Sequence, residues 1–191
     1  IDGPEGIRLA IVRGDAPGLE RRALPTMDPT RKLARLRFAD VPAEALGEHG
    51  VAASALARTL DQALILLANE MVGGAQRVLE TTVEYAKLRV QFGRSIGSFQ
   101  AIKHKLADMY ITSTLARSNC YYGAWALSTD APELPLAAAT ARVSATQAFD
   151  ECSKENIQTH GGMGFTWEFN CHMYFRRAKA LATPAGSRKD T

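Results

Sequence analysis

From Val51 onward, apolar residues recur at helical spacing: Leu56, Leu60, Leu64, Leu67, Met71, Ala75, Val78, Val83 and Ala86. No proline interrupts the run from Ala52 to Gln91, so the spacing predicts one helix of roughly 38 residues, ~57 Å long. Gly73-Gly74 falls inside it and reads as a point of close packing against a neighbouring helix. Ser98 is placed to cap a second helix, Phe99 to about Ser128, with Phe99, Ile102, Leu106, Met109, Leu115, Tyr122, Trp125 and Ala126 as its apolar positions. The linker at residues 129–134 follows, and Pro135 suits the first turn of a third helix running to about Thr159. Gly161-Gly162-Met163-Gly164 ends that helix. Thr166 is placed to cap a short fourth, Trp167 to about Leu181, with Pro184 as the stop. Four helices with short connections predict an antiparallel bundle.

The residues before Val51 follow a different period. Residues 7–12 read as a strand, residues 14–18 as a turn, and residues 33–38 as a half-buried strand with Leu36 and Phe38 on one face and arginines on the other. Asp40-Val41-Pro42 and Gly47 close the segment. Three or four strands are few for an independent sheet, so the segment is expected to be the end of a larger β domain. The expected fold class is mostly α: an antiparallel four-helix bundle preceded by the last strands of a β domain. Residues 1–47 are assigned to the β domain, 51–182 to the bundle and 183–191 to a tail.

Composition narrows the function. The chain has 191 residues, 46% hydrophobic and 23% charged, and no internal repeat. A net charge of +3 is too small to argue for nucleic acid or an anionic membrane. No apolar run approaches the ~20 residues of a membrane span. Ile1-Asp2-Gly3-Pro4 has neither a basic nor an apolar leader region, so no signal peptide is read there. Cys120, Cys152 and Cys171 lack metal-ligand spacing and fit reduced thiols, which points to the cytoplasm and to no metal site.

Two glycine-rich stretches remain. At Arg89-Val90-Gln91-Phe92-Gly93 the long helix ends. Arg89 offers a planar fork of donors matched to phosphate, Gln91 a further donor and Phe92 an apolar face. Gly93 and Gly97 allow close backbone approach, and Ser98, Phe99 and Gln100 lie at a helix N-terminus, where free N–H groups favour an anion. Taken alone, a helical hairpin with a salt bridge is the simpler account. The second stretch, residues 158–168, reads on its own as a capping glycine and a tight turn. It lacks the G-x-G-x-x-G order and no strand precedes it, which argues against a Rossmann site. Of the histidines, His104 reads as partly exposed, His172 shares a solvated face with Arg176 and Arg177, and His160 adjoins the glycine turn, within reach of a ligand there.

The two stretches together, "EYAKLRVQFGRSIGSFQAIKHKLADM" and "QTHGGMGFTWEF…YFRRAKAL", closely resemble the C-terminal helical domain of flavin-dependent acyl-CoA dehydrogenases. Residues 1–47, with "DAPG" and "FADVPAEALG", resemble the last strands of that family's middle β domain. The resemblance implies a tetramer, homo- or heteromeric, with FAD at a subunit interface. It implies that Arg89, Gln91, Phe92, Ile96, Phe99 and Gln100 grip the pyrophosphate and adenosine end of FAD held mainly by a neighbouring subunit. Gln158, Gly161, Gly162 and Gly164 are implied to line the same half of the cofactor. The implied substrate is an acyl-CoA thioester, and the implied electron acceptor an electron-transfer flavoprotein.

The family's catalytic carboxylate has no counterpart at either expected position. One position, after the fourth helix, is Ala185; the other, on the first helix, is Ala63, followed by Leu64 where the family has arginine. Asp61 and Glu70 are the nearby carboxylates, read as solvated or paired. The family's flavin-ring and acyl-CoA contacts come largely from regions that would precede this sequence, so the chain is expected to be part of a longer protein. The pattern resembles the base-lacking subunit of heterotetrameric actinobacterial steroid-type acyl-CoA dehydrogenases. Two alternatives stand beside it: a self-sufficient dehydrogenase with a relocated base, and a non-catalytic helical assembly module that has lost its flavin.

Overall fold

The computed structural model describes residues 2–3, 6–48 and 50–183. The chain divides into two compact units, one up to Leu60 and one from Asp61 onward.

The first unit is built from short antiparallel pairs. Strand β1 (Asp2–Gly3) pairs with β2 (Gly6–Ile7), β3 (Leu9–Ile11) with β6 (Glu44–Leu46), and β4 (Leu19–Leu24) with β5 (Leu33–Phe38). Gly18 enters β4 at φ 82°, and a Cβ there would stand 2.1 Å from the Ala39 carbonyl oxygen, so only glycine closes this approach. Between β4 and β5 the buried Asp28 carboxylate accepts from the Thr30 amide (2.9 Å) and hydroxyl (2.6 Å). Residues 33–38 do form a strand, but it is not half-buried. Leu33 on one face and Leu36 and Phe38 on the other are each more than half exposed, so among the described residues neither face of the strand is covered.

Helix α1 (Ala52–Leu88) is continuous over 37 residues. In the second unit it is joined by α2 (Gln100–Ser128), α3 (Leu134–His160) and α4 (Cys171–Ala182). The bundle core alternates bulky and small residues. Ile65, Met71, Val78, Met109 and Phe149 fill it, while Ala137, Ala138, Ala141, Ala145 and Ala148 line one face of α3 and let the neighbouring helices close in. Gly74 receives the Phe149 ring, where a Cβ would lie 2.6 Å from Cζ; a Cβ on Gly73 would meet nothing within 4 Å. The close-packing reading of Gly73-Gly74 therefore holds for Gly74 alone.

Polar ties fix the helix order. Lys105 on α2 bridges to Glu155 on α3 at 2.6 Å. Asp150 on α3 takes Lys154 of its own helix and Lys179 of α4, each at 2.5 Å. Burial raises the Asp150 pKa, but the two lysines outweigh it and the net shift is downward. Glu70 on α1 pairs with Arg177 on α4. Cys120, Cys152 and Cys171 are free and buried; burial pushes the first two thiols up to about 11 and about 12, so they stay protonated.

Three local readings are corrected. Ser98 does not cap α2: its hydroxyl donates to the Ser95 carbonyl (2.7 Å) within a short 3-10 turn, and Phe99 takes the cap position without a side-chain bond. Thr166 does not cap α4: its hydroxyl donates to the Met163 carbonyl (3.0 Å), and the helix starts later, after Asn170. On α2, Leu115, Tyr122 and Trp125 are exposed; the inward face is Met109, Ser113, Ala116, Cys120, Gly123 and Ala126, small enough to seat α3. Pro184, Ala185 and the remainder of the tail lie outside the described residues. Among the described residues no helix is long and apolar enough to cross a membrane, and no cluster of three metal-ligating side chains occurs.

Gly73→Ala is expected to stabilise the protein by about 0.5–1 kcal/mol, the helix-propensity difference, since it meets open space. Gly74→Ala is expected to destabilise it by about 1–3 kcal/mol through overpacking against Phe149. Urea unfolding of the two variants checks the opposite signs.

Candidate functional site

The corner after α1 is a miniature hairpin. The Arg89 amide makes the last helical bond, to the Tyr85 carbonyl (2.9 Å). Val90–Gln91 and Arg94–Ser95 then pair as β7 and β8, and the Ile96 amide closes the loop on the Arg89 carbonyl at 2.8 Å. Phe92 and Gly93 sit between the strands at φ 55° and 78°. Two successive left-handed residues mark the turn that matches strand twist, usually built from Asn-Gly. Phenylalanine is a poor residue there, and at 92% exposed it gains little packing among the described residues to offset the backbone strain. Its ring meets the Phe99 ring edge-on at 6.3 Å, and the Arg94 guanidinium lies 4.1 Å over Phe99. Gly97 is required by contact: a Cβ would stand 2.9 Å from the Ala86 carbonyl oxygen.

The glycine turn begins where α3 ends. Gly161 terminates the helix at φ 61°, ψ −139°, a region essentially reserved for glycine, and a 3-10 turn runs over Gly161–Phe165. A Cβ on Gly161 or Gly162 would meet nothing within 4 Å, so both backbones face open space. Gly164 differs: it is buried, and a Cβ would stand 2.8 Å from the Ile157 carbonyl oxygen.

The corner and the glycine turn meet in one open recess of about 400 Å³, lined by Tyr85, Arg89, Gln91 and Ile96 from one side and Thr159 to Met163 from the other. Of the residues singled out in the sequence, Arg89, Gln91, Ile96, Gly161 and Gly162 line it. Phe92, Phe99, Gln100, Gln158 and Gly164 do not. Phe92, Gln100 and Gln158 are exposed beyond its rim, Phe99 packs under Arg94, and Gly164 serves the turn itself. No carboxylate among the described residues pairs with the Arg89 guanidinium, while the Gln91 amide donates to the Val90 carbonyl at 2.6 Å. The Phe99 amide is engaged by the Ile96 carbonyl (3.1 Å), so it is not one of the free donors expected at the start of α2.

Tyr85 and His160 are the floor. Their rings stack at 4.0 Å and 22°, with Phe169 edge-on to both. His160 Nδ1 lies 2.8 Å from the Asn156 carbonyl, which makes Nδ1 the protonated nitrogen and leaves Nε2 an acceptor. Asn156 is itself buried, its side chain 2.9 Å from the Thr82 hydroxyl on α1. Burial holds the His160 pKa below its ordinary 6.5, against the opposing effect of the carbonyl. Sequence reading missed Tyr85 and Thr159. Tyr85 lies one helical turn before Arg89, on the same face, and that spacing is the signal that would have found it.

The recess thus offers an unpaired guanidinium, two glycine backbones open to close approach and an uncharged imidazole, an arrangement suited to an anionic, partly aromatic ligand. A family model described as acyl-CoA dehydrogenase, C-terminal domain, matches residues 48–189. The acyl-CoA dehydrogenase IpdE2 of Mycobacterium tuberculosis is 48% identical over 159 residues, covering 82% of this chain and 45% of that protein. The solved Tcur3481-Tcur3483 steroid acyl-CoA dehydrogenase variant matches with a TM-score of 0.85 and 34% identity over 94% of this chain and 48% of that one. Butyryl-CoA dehydrogenase of Megasphaera elsdenii matches with a TM-score of 0.87 and 32% identity over 93% of this chain and 47% of that one. The chain spans about half the length of each of these relatives.

Phe92→Asn is expected to raise the stability of the ligand-free protein by about 1 kcal/mol, because asparagine tolerates the left-handed backbone; chemical denaturation checks it. Since folding depresses the His160 pKa, the unfolded chain binds the extra proton more readily. Stability should therefore be flat above the ordinary value of 6.5 and fall as pH drops below it. His160→Phe, which keeps the ring stack, should flatten that decline in a pH series of melting temperatures.

Proposed function

The chain belongs to the acyl-CoA dehydrogenase family through its C-terminal helical domain, and from that premise we propose that it forms the FAD-gripping corner of a flavin-dependent acyl-CoA dehydrogenase. The observation that carries this reading is the recess itself: two motifs some 70 residues apart in sequence meet there around an unpaired Arg89. The residues fit a dinucleotide. Arg89 offers bidentate donors to the diphosphate. Gly161 and Gly162 leave space where a side chain would block it. Phe92 and Phe99 offer apolar surface beside it, and the strain at Phe92 is accounted for if the ring packs against the nucleotide or the neighbouring subunit that holds it.

When bound, FAD supplies the hydride acceptor for α,β-dehydrogenation of an acyl-CoA thioester. The reaction also needs a carboxylate to take the α-proton. At the position on α1, Ala63 carries a methyl group, which accepts no proton. Glu70 is tied in place by its ion pair with Arg177. The other expected position, Ala185, has no acidic group by sequence. The base is therefore proposed to come from a second, homologous subunit in a heterotetramer, a reading supported by the two-component name of the steroid acyl-CoA dehydrogenase relative. A steroid-type acyl-CoA is the proposed substrate class, and an electron-transfer flavoprotein the proposed electron acceptor.

Arg89→Ala is expected to weaken FAD binding by ~1.5–3 kcal/mol, the worth of a charged hydrogen bond, or roughly ten- to a hundredfold. Flavin content and affinity of the purified assembly measure this, and unchanged FAD content would remove Arg89 from the site. Acyl-CoA turnover should need co-expression with the homologous partner; full turnover by this protein alone would contradict the missing base.

A further inference from the structure

We propose that the arginine face of the β4–β5 ribbon is a docking surface for an acidic protein partner, the electron-transfer flavoprotein that takes electrons from the reduced enzyme. This rests on the proposed function and adds to it a place for the acceptor. Strands β4 and β5 pair over six residues, with Arg22 directly opposite Arg35 and Glu20 opposite Arg37. Side chains alternate along each strand, so these four share one face, while Leu19, Ala23, Leu36 and Phe38 share the other. Residues 19–38 hold six arginine and lysine side chains against two carboxylates, more positive charge than the net +3 of the whole chain. One of those carboxylates, Asp28, is buried between the strands and accepts from Thr30, which leaves Glu20 as the acidic group on the arginine face.

Like charges directly opposite on a ribbon stand with Cβ atoms ~5 Å apart and repel. Arg22, Arg35 and Arg37 are exposed, and no ion pair among the described residues reaches any of them. The arrangement works against the pairing of its own strands, and an anion set across it relieves the repulsion. A β domain buries the apolar face of such a ribbon, and three guanidinium groups beside one carboxylate are too costly to desolvate, so the arginine face stays open to a partner. Six residues per strand make that face about 20 Å long, and a two-stranded ribbon is flat rather than concave. Flat surfaces suit macromolecules, whereas small ligands seek clefts. An electron carrier must arrive and leave in every turnover, and such encounters use small interfaces whose opposite charges speed association. The complement of this face is therefore an acidic protein surface.

The test immobilises the intact, flavin-loaded assembly and measures binding of purified electron-transfer flavoprotein from the same source, at low and high ionic strength. Arg22→Glu and Arg35→Glu each turn an opposed like pair into an opposite pair, so both variants should keep the ribbon paired and melt at or above the parent temperature. Lys103→Glu on α2 makes the same charge change in the other unit of the chain. Arg22→Glu and Arg35→Glu should each weaken binding about five- to tenfold at low salt, with the difference closing near about 0.5 M salt, while Lys103→Glu stays within about twofold of the parent protein. Undiminished binding in both arginine variants overturns the inference and leaves the proposed function standing. Equal loss in all three variants also overturns it, since net charge alone then governs the encounter. Binding of polyuridylate RNA or of phosphatidylglycerol vesicles that depends on Arg22, with no binding of the flavoprotein, overturns it in favour of a nucleic acid or a membrane. An assembly that purifies without flavin absorbance overturns the proposed function itself, and that is read before the titration begins.

Discussion

Two stacked rings hold this site together. Tyr85, one turn before the end of α1, and His160, the last residue of α3, lie face to face at 4.0 Å and pin one helix end to the other. Such a pair is worth about 0.5–1.5 kcal/mol beyond its buried area. Its larger effect is positional. Arg89 follows Tyr85 by four residues and Gly161 follows His160 directly, so the stack sets the distance between the cation and the open glycine backbone. The buried Thr82 and Asn156 repeat the tie one turn deeper. Asn156 also presents its carbonyl to His160, so one residue fixes both the helix pairing and the imidazole tautomer.

The stack can form only because the bundle brings α1 and α3 close enough. The alanine face of α3 and the seating of Phe149 on Gly74 remove side-chain bulk where the helices meet. A recess for a diphosphate then costs the core nothing, because it lies beyond the last packed layer, where both helices stop. On the proposed reading, the polar surface there, a guanidinium with no carboxylate partner among the described residues beside open glycine backbone, takes a ligand rather than a neighbouring helix. Catalysis needs a group that the described residues do not supply. Ala63 is apolar and Glu70 is committed to Arg177, and the proposed reading therefore has this chain bind and orient while a partner supplies the proton acceptor.

The helices were legible because their signals are local and repeated. The apolar period of α1, uninterrupted by proline, gives its length to within a residue, and Pro135 marks the start of α3. The two glycine-rich stretches were legible as a pair. Their meeting point was not, because Tyr85 and Thr159 earn their place through contacts across about 75 residues of sequence, which no local pattern encodes. The cap readings at Ser98 and Thr166 failed for a different reason. Each hydroxyl had a nearer carbonyl in a 3-10 turn, and that bond removed it from the helix start. The inward face of α2 was legible in part: Met109 and Ala126 go in as read, but Gly123 and Ala116 join them because small size lets α3 close in, while Leu115, Trp125 and Tyr122 stay out. Strand β4 was hidden by its own composition, since Glu20, Arg21 and Arg22 break the alternation that marks a strand.

The central claim is that the end of α1 and the end of α3 together clasp a dinucleotide. A crystal structure of the flavin-loaded assembly tests it most directly. The account predicts the Arg89 guanidinium, and at least one amide of the glycine turn, within about 3 Å of FAD phosphate oxygens. A structure in which the flavin is bound elsewhere and this recess holds only solvent would contradict it.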